Sequence, residues 1–494
     1  MQNSQVIVAA TIVLIVGLSP VAAQEDLPRQ VNVDWAAVEA QLGAKGGTGL
    51  RQSAATLEQL YGAGSGARSL GGTRPAMPVL LPQFAPASPG ARSLIPRSLG
   101  GGMEPPQPEI TLFPRRLAYL ATITLDGASV TVTGSAAPEL SPDTPELTPD
   151  SGTARSLPLL GISDLNFAET EVGLAASFTR FGVQYEVAIE CAEDQADNRC
   201  RDNDYLKQMI YSMALVGGIP KGAAAVPPEM SVPPAPEVST GGRSLSGVGS
   251  VDADGLVSSG IRDQRGVEFK YYQQGSLAPD TGQSLRDPSN HAPGMRFPIQ
   301  TGPAFANTQV YSHGGDFGGD KERAKGFVMN QCLAPNYEYP WRENFCERRT
   351  HSTSACPSGK GHQGQDIRPF QCKGSSPMAV ATENGEIVAT PASGFKSVSI
   401  LGASGRTYLY LHLDPSTIKV VYGQSVARGD VLGRVSNFDK DKKKGWIPNT
   451  TRHLHFEIKR NVQTAGGTRS IRHVSPYVAL VDAYKRLLLG VETK

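Results

Sequence analysis

An excess of charge of either sign is absent from this chain: 47 Lys and Arg stand against 46 Asp and Glu, a formal net charge of +1. That balance argues against a nucleic-acid partner held by a basic face. Neither an acidic nor a basic tail is present. Beyond residue 18 no run is apolar enough to cross a bilayer. Cys-x-x-Cys does not occur, which removes the commonest spacing of a structural zinc site. Lys and Arg are also missing from Met1 to Gln5, ahead of the apolar run Val6 to Leu18.

That run has the length of a signal-peptide core and is too short to span a membrane comfortably. Pro20 breaks it, and Val21-Ala22-Ala23 supplies the small residues of a cleavage site before Gln24. The expectation is a signal peptide at 1–23 and an exported protein, periplasmic or extracellular, with no stable membrane insertion after cleavage; the alternative is that the run stays as an uncleaved anchor. A lipid anchor lacks its cysteine near residue 24. The six cysteines suit an oxidising compartment. Cys191 and Cys200 form a pair; Cys332, Cys346, Cys356 and Cys372 form a quartet that allows three connectivities. The predicted bridges are Cys191–Cys200, Cys332–Cys346 and Cys356–Cys372.

At 494 residues the chain is long enough for two or three domains. Its 54 Gly and 37 Pro are unevenly placed and mark linkers. Residues 24–108 are Gly-, Ser-, Ala- and Pro-rich and read as mostly disordered, because they cannot bury enough apolar surface to offset ordering. The tripeptide Arg-Ser-Leu recurs at Arg68, Arg92, Arg97, Arg155 and Arg243, at intervals too irregular for a repeat architecture.

Residues 109–219 read as a small α+β domain of unassigned role. Tyr119 to Leu125, an Asp126-Gly127 turn and Ser129 to Thr133 predict a hairpin. A Pro- and acid-rich insert follows over 136–152, then a half-buried strand from Val183 to Glu190. Tyr205, Leu206, Met209, Ile210, Met213 and Val216 recur at helical spacing behind Asp202 as N-cap. Residues 220–265, rich in Pro, Gly and Ser, read as a semi-rigid linker. The region 266–494 carries many short strand signals separated by Gly and Asn or Asp, which favours an antiparallel β domain. A terminal helix, about Pro476 to Leu489, would pack Val478, Val481, Tyr484 and Leu488.

Four of the eight histidines fall in three short pieces of that region: His362-Gln363-Gly364-Gln365-Asp366, Tyr410-Leu411-His412-Leu413 and His453-Leu454-His455-Phe456-Glu457. Strand geometry puts His453 and His455 on one face, with Leu454, Phe456 and Ile458 on the other. His362 and Asp366 could share a face if extended. Standing alone, His-x-His on a strand is more often a surface accident than a ligand pair. Together the pieces have the pattern of a metal site assembled on a sheet. Spacing alone leaves open which of His453 and His455 is the ligand.

Taken in order, His-x-x-x-Asp, a middle His in a Tyr-x-His-Leu strand and His-Leu-His-Phe-Glu resemble the zinc metalloendopeptidases of the LytM and lysostaphin type. Gly423 to Gly433 also resembles a loop-and-strand segment of that family. The resemblance covers about residues 295–489. It implies a multidomain chain whose C-terminal part is a mainly antiparallel β metallopeptidase domain, preceded by the small α+β domain and low-complexity segments. It also implies one Zn²⁺ per chain on His362, Asp366 and His455, with His412 and His453 as the catalytic pair. Two imidazoles and one carboxylate would leave an open position for water, as a catalytic zinc site requires. Histidine can serve as base or as donor to a developing oxyanion near neutral pH. The activity implied is hydrolysis of cross-link or stem peptides of bacterial peptidoglycan by zinc-activated water. The alternative is a silent binding module that activates a separate wall hydrolase; a protease acting on proteins is a third reading.

The chain departs from the pattern in two places. Asn437 to Arg452, with Asp439-Lys440-Asp441-Lys442-Lys443-Lys444, intervenes before the last motif and reads as a solvated loop or a contact for acidic substrate. Residues 311–349 are long for such a domain and include His313, which reads as a surface histidine or as a cap on the open zinc position. His291, His351 and His473 have no motif context. A Cys356–Cys372 bridge would brace the segment bearing His362 and Asp366.

Overall fold

Asp126-Gly127 joins the strands Ala118–Leu125 and Ala128–Ser135 in the hairpin read from the sequence, with Leu125 opposite Ala128 and Gly127 at φ 69°. The computed structural model describes residues 33–44, 68–70, 75–82, 109–141, 144, 155–191, 197–217, 250–275, 287–307, 332, 334–347, 349–370, 372, 376–441, 445–448 and 450–492. The proposed signal peptide and His313 lie outside the described residues.

The hairpin sits inside an eight-stranded sheet, in the order Arg68–Ser69, Glu109–Pro114, Ala118–Leu125, Ala128–Ser135, Val183–Cys191, Gly173–Arg180, Ile162–Glu169, Arg155–Leu157. All neighbours are antiparallel except the first pair. One face is covered by the helix Asp204–Tyr211 and a two-stranded sheet of Val79–Pro82 with Met213–Gly217. These carry Leu80, Leu206, Met209 and Met213 onto Tyr119, Val132, Tyr185 and Val187.

Three expectations are corrected here. The predicted helix stops at Tyr211, where the Ser212 N–H bonds back to Gln208 and Met209, and Met213–Gly217 continues as a strand. Consecutive apolar residues suit a buried strand as well as a helix, and pairing with Val79–Pro82 decided it. The low-complexity stretch 24–108 contributes order: a helix at Trp35–Ala44 and the fully buried strand Val79–Pro82. Val183–Cys191 is buried on nearly its whole length rather than on alternate residues. One of its faces meets the helical layer and the other meets the second part of the chain.

The second part is mainly antiparallel β. Its principal sheet runs Phe305–Ala306, Gln365–Arg368, Leu454–Gln463, Thr407–Leu411, Val398–Gly402, Gly385–Ala389, Ser425–Val426, and Arg469–Val474 pairs with the far half of Leu454–Gln463. A hairpin of Leu256–Arg262 with Glu268–Tyr272 begins inside the stretch read as linker to 265. The terminal helix is Tyr477–Leu488; it buries Tyr477, Leu480, Val481 and Tyr484, while Val478 is only half-buried.

Trp341, fully buried, stacks on Tyr484 at 4.4 Å between ring centroids and meets Phe269 edge-on at 4.9 Å. Its indole N–H donates to the Ala304 carbonyl at 2.9 Å, so neither its area nor its polar atom is wasted. Trp341→Ala should cost about 3–5 kcal/mol of stability, the usual range for emptying a large aromatic site. Denaturant unfolding of the full chain checks this; a loss below 1 kcal/mol would mean the site collapses without cost.

The first and second parts are joined through several contacts. Glu139–Leu140, from the acid-rich insert, pairs in parallel with Val462 and Gln463 at the end of strand Leu454–Gln463. Glu139 also ion-pairs with Arg406 at 2.6 Å and Arg460 at 2.8 Å. Lys459 reaches Glu186 of the first sheet at 2.8 Å. Phe113 and Leu120 of the first part pack with Val388 and Leu401 of the second.

Disulfides join Cys191–Cys200, as expected, then Cys332–Cys372 and Cys346–Cys356. The predicted pairs Cys332–Cys346 and Cys356–Cys372 are therefore overturned. Loop-closure cost varies slowly with loop length, so spacing could not choose among the three connectivities. The turn at Thr353–Gly359 settles it by folding back and bringing Cys356 to 5.3 Å, Cα to Cα, from Cys346.

Candidate metal centre

Register brings the site together. Gln365–Arg368 and Leu454–Gln463 are antiparallel with Asp366 directly opposite His455, and on the other side Leu411 is opposite His455. Directly paired residues share a face, so Asp366 and His455 converge without help from any loop. Leu454, Phe456 and Ile458 point into the core behind them. Gly364 is required here: a Cβ at that position would lie 2.9 Å from the His455 ring and 2.7 Å from the Phe456 carbonyl oxygen.

Three ligand-type atoms form a triangle. His362 Nε2 is 2.9 Å from His455 Nδ1 and 3.3 Å from Asp366 Oδ1, and His455 Nδ1 is 3.1 Å from Asp366 Oδ1. All three residues are buried. Donors about 2.0–2.1 Å from a tetrahedral Zn²⁺ would stand about 3.3 Å apart, close to these separations.

The far side of each ring is held. His362 Nδ1 is 3.0 Å from the Asn344 carbonyl oxygen and His455 Nε2 is 2.9 Å from Glu457 Oε1, so each N–H donates outward. Two ring lone pairs and a carboxylate oxygen then face one another at about 3 Å, which is repulsive unless a cation stands among them. With a proton as that cation, hydrogen bonds to Asp366 and Glu457 overcome burial and hold the His455 pKa up at about 10. Asp366 is kept well below the ordinary carboxylate range: burial opposes ionisation, and the His362 and His453 imidazoles outweigh it. Asn344 fixes it, donating from Nδ2 to Oδ2 at 2.7 Å and accepting the Asp366 N–H at 3.0 Å.

His412 and His453 stand beside the triangle, their ring centroids 4.6 Å apart. His412 ends the strand Thr407–Leu411 with φ 62°, a left-handed conformation that turns its ring toward His453. His412 Nδ1 donates to the Phe438 carbonyl at 3.1 Å and His453 Nδ1 to the Thr451 carbonyl at 2.7 Å. Both rings therefore present Nε2 as an acceptor, and His453 Nε2 lies 3.5 Å from Asp366 Oδ1. Burial pushes both imidazoles below the ordinary histidine range. The run read as a solvated loop is instead a hairpin of Phe438–Asp441 with Gly445–Pro448, and its first residue supplies the carbonyl that holds His412.

All five sequence-predicted residues are thus brought together. Sequence reasoning missed others. Glu457, two residues beyond His455 on the same face, holds the ring of His455 and is itself met by His473 Nε2 at 3.1 Å; period-2 geometry could have found it. Asn344 and Arg349, the latter 3.9 Å from Asp366 Oδ2, carried no motif signal. Glu171, from the turn between Ile162–Glu169 and Gly173–Arg180, was also missed. It brings a carboxylate oxygen into a group with ligand atoms of His362 and His455, all within 4.8 Å of one another. Burial would raise its pKa, yet His351, His362 and His455 together hold it far below the ordinary range.

Residues 360–466 match the model of peptidase family M23. Among solved structures, the chain is similar to one from Ruminococcus gnavus that carries the name of a glycyl-glycine endopeptidase, LytM, at 21% identity, covering 25% of this chain and 47% of that one, TM-score 0.20. It is also similar to the catalytic domain of the antimicrobial peptidase lysostaphin from Staphylococcus simulans (20% identity, 25% and 81% coverage, TM-score 0.18). A third is a zinc-containing peptidase from Vibrio cholerae (25% identity, 20% and 28% coverage, TM-score 0.15). The chain spans less than half the length of the first and third of these, and TM-scores at this level carry no argument. No curated protein sequence matches.

Proposed function

We propose that this chain, whose residues 360–466 match the model of peptidase family M23, is an exported zinc endopeptidase of the LytM and lysostaphin type acting on the peptides of bacterial peptidoglycan. The observation that carries the reading is the triangle of His362 Nε2, Asp366 Oδ1 and His455 Nδ1, with lone pairs converging at 2.9–3.3 Å. These three would hold one Zn²⁺. When bound there, the metal supplies Lewis acidity, making a water nucleophilic near neutral pH and polarising a peptide carbonyl.

The remaining work falls to His412 and His453. Each has its Nδ1–H committed to a backbone carbonyl, so each can take a proton only at Nε2. One Nε2 accepts the proton of the attacking water as the new C–O bond forms. The same proton then passes to the peptide nitrogen as the C–N bond breaks, and the water's second proton leaves the new carboxyl group for the released amine, giving an ammonium and a carboxylate. The other imidazole, having taken a proton from solvent at Nε2, donates it as a hydrogen bond to the oxyanion of the intermediate and keeps it when the carbonyl re-forms. Glu457 and Asn344 keep His455 and Asp366 in place while this happens.

Three disulfides suit an exported protein. Among the described residues no helix is long and apolar enough to cross a membrane. Purified sacculi incubated with the zinc-loaded full chain, with Asp366→Ala as blank, test the substrate class by mass analysis of released peptides. New free amino and carboxyl ends at stem or cross-link bonds are expected. Intact sacculi beside a cleaved protein substrate would move the reading to a general protease. No cleavage of either, with stimulation of an added wall hydrolase, would make the chain a binding module.

A further inference from the structure

A cavity of about 190 Å³ lies between the two parts of the chain, and its charged lining is four arginines and one glutamate. Arg115 and Arg116 come from the turn after Glu109–Pro114, Glu139 from the acid-rich insert, Arg406 from the turn before Thr407–Leu411, and Arg460 from Leu454–Gln463. Arg460 stands five residues beyond His455, about 17 Å along the strand at the usual rise, so the cavity is apart from the metal centre. A cavity of about 150 Å³ already holds a benzene-sized molecule, so there is room here for a small ligand.

The neighbouring carboxylates do not use up these guanidiniums. Arg406 Nη2 and Arg460 Nη2 both donate to one oxygen, Glu139 Oε2, at 2.6 Å and 2.8 Å. Arg115 pairs with Glu386. Glu383, whose charge Arg406 also feels, is taken up by the Ser404 N–H, the Ser404 hydroxyl and the Tyr408 hydroxyl. Asp287, near Arg460, faces His291 Nε2 at 2.9 Å. The Arg116 guanidinium has neither ion pair nor hydrogen bond among the described residues, and its Nε is shut away from solvent. Arg460 is only 5% exposed and its Nε is likewise unpartnered. Burial brings the Arg460 pKa down to about 10 against the pull of Glu139, and Arg406 alongside adds to the fall. Buried positive charge that is only partly compensated is costly, and an anion in the cavity would offset it. Asn461, on the same wall, has a buried Oδ1 with no donor, which calls for a hydroxyl or N–H.

We infer that this cavity is a second binding site, for a sugar or polyol phosphate, with Arg116, Arg406 and Arg460 on the phosphate and Asn461 Oδ1 accepting from a ligand hydroxyl. Three guanidiniums arrive from three separate segments, which suits the several acceptor oxygens of a tetrahedral phosphate; a planar carboxylate is satisfied by one guanidinium fork. Glu139 sits on two of the same guanidiniums and so limits the affinity. Both parts of the chain contribute to the wall, so the site exists only while they are docked. None of these residues belongs to the metal triangle, and the site stands whether or not the chain is a peptidase.

Calorimetric titration of the full chain with inorganic phosphate at low salt tests this, with Asp366→Ala run beside wild type to set aside any phosphate held at the metal. Asp366→Ala should still take up one phosphate per chain. Adding Arg116→Ala to that variant should weaken the binding about tenfold or more, the worth of a hydrogen bond to a charged group. The Arg116 side chain has no partner to lose, and its carbonyl keeps the Ala76 N–H, so the fold should be unaffected; circular dichroism checks that. Glu139→Gln should tighten phosphate binding by removing a like charge. Glycerol 3-phosphate should bind about fivefold more tightly than inorganic phosphate, through one added hydrogen bond; equal affinities would remove Asn461 from the site. No phosphate taken up by Asp366→Ala, or equal uptake with and without Arg116→Ala, would overturn the inference. Acetate bound as tightly as phosphate would overturn the assignment to phosphate.

Discussion

Asp366→Ala is expected to leave the full chain folded but without stoichiometric zinc, and to reduce peptide hydrolysis to the blank. Asp366 supplies the only carboxylate oxygen of the triangle, at 3.1 Å and 3.3 Å from the two ring nitrogens. Without it only the two imidazole lone pairs of the triangle remain, and the site loses a charge that offsets desolvation of the ion. Changes beyond the ligands themselves already cost about 10–100-fold in metal affinity, so removal of a ligand should exceed that. The fold should bear the loss. Asn344 Nδ2 forfeits its acceptor, an unpaired buried donor costing about 1–3 kcal/mol. Metal analysis after dialysis, with circular dichroism of the same sample, checks both halves. A variant that kept one zinc per chain would move the centre elsewhere.

His412→Asn and His453→Ala should each lower kcat by about 10²–10⁴-fold, the usual worth of general acid–base groups, while zinc content stays at the wild-type level. Asn is the better replacement at 412 because that residue sits at φ 62°, where Asn is tolerated and a β-branched residue is not. The two losses should not add, because base and oxyanion donor act in one transition state. A His412→Asn enzyme with full activity would end its assignment to catalysis and leave the triangle untouched.

The triangle and its neighbouring imidazoles were legible because short-range order carries them. His453 and His455 are two apart on a strand, and His362 and Asp366 stand in a motif that resembles a known family. What the sequence withheld was long-range. Glu171 reaches His362 from 191 positions away only because a hairpin of the first sheet ends there, and Gln363 binds Glu169 across a separation of 194. The same reason explains the disulfides: Cys332 finds Cys372 across 40 residues, while the nearer Cys346 turns to Cys356. The strand Met213–Gly217 was read as helix because its apolar run fits either period, and its partner Val79–Pro82 lay in a stretch whose composition argued for disorder. Local pattern fixes a face; it does not say what another part of the chain will lay upon it.

The irregular Arg-Ser-Leu tripeptides have a place in that account. Two of them, at Arg68–Ser69 and Arg155–Leu157, are the end strands of the eight-stranded sheet, one at each side. An end strand offers unpaired backbone groups to any passing chain, and a long flat one invites stacking into aggregates. Here both ends are finished by pieces of two and three residues, each containing an arginine. A wide sheet is thereby kept from growing by edge pairing with further copies, which matters for a protein proposed to be exported.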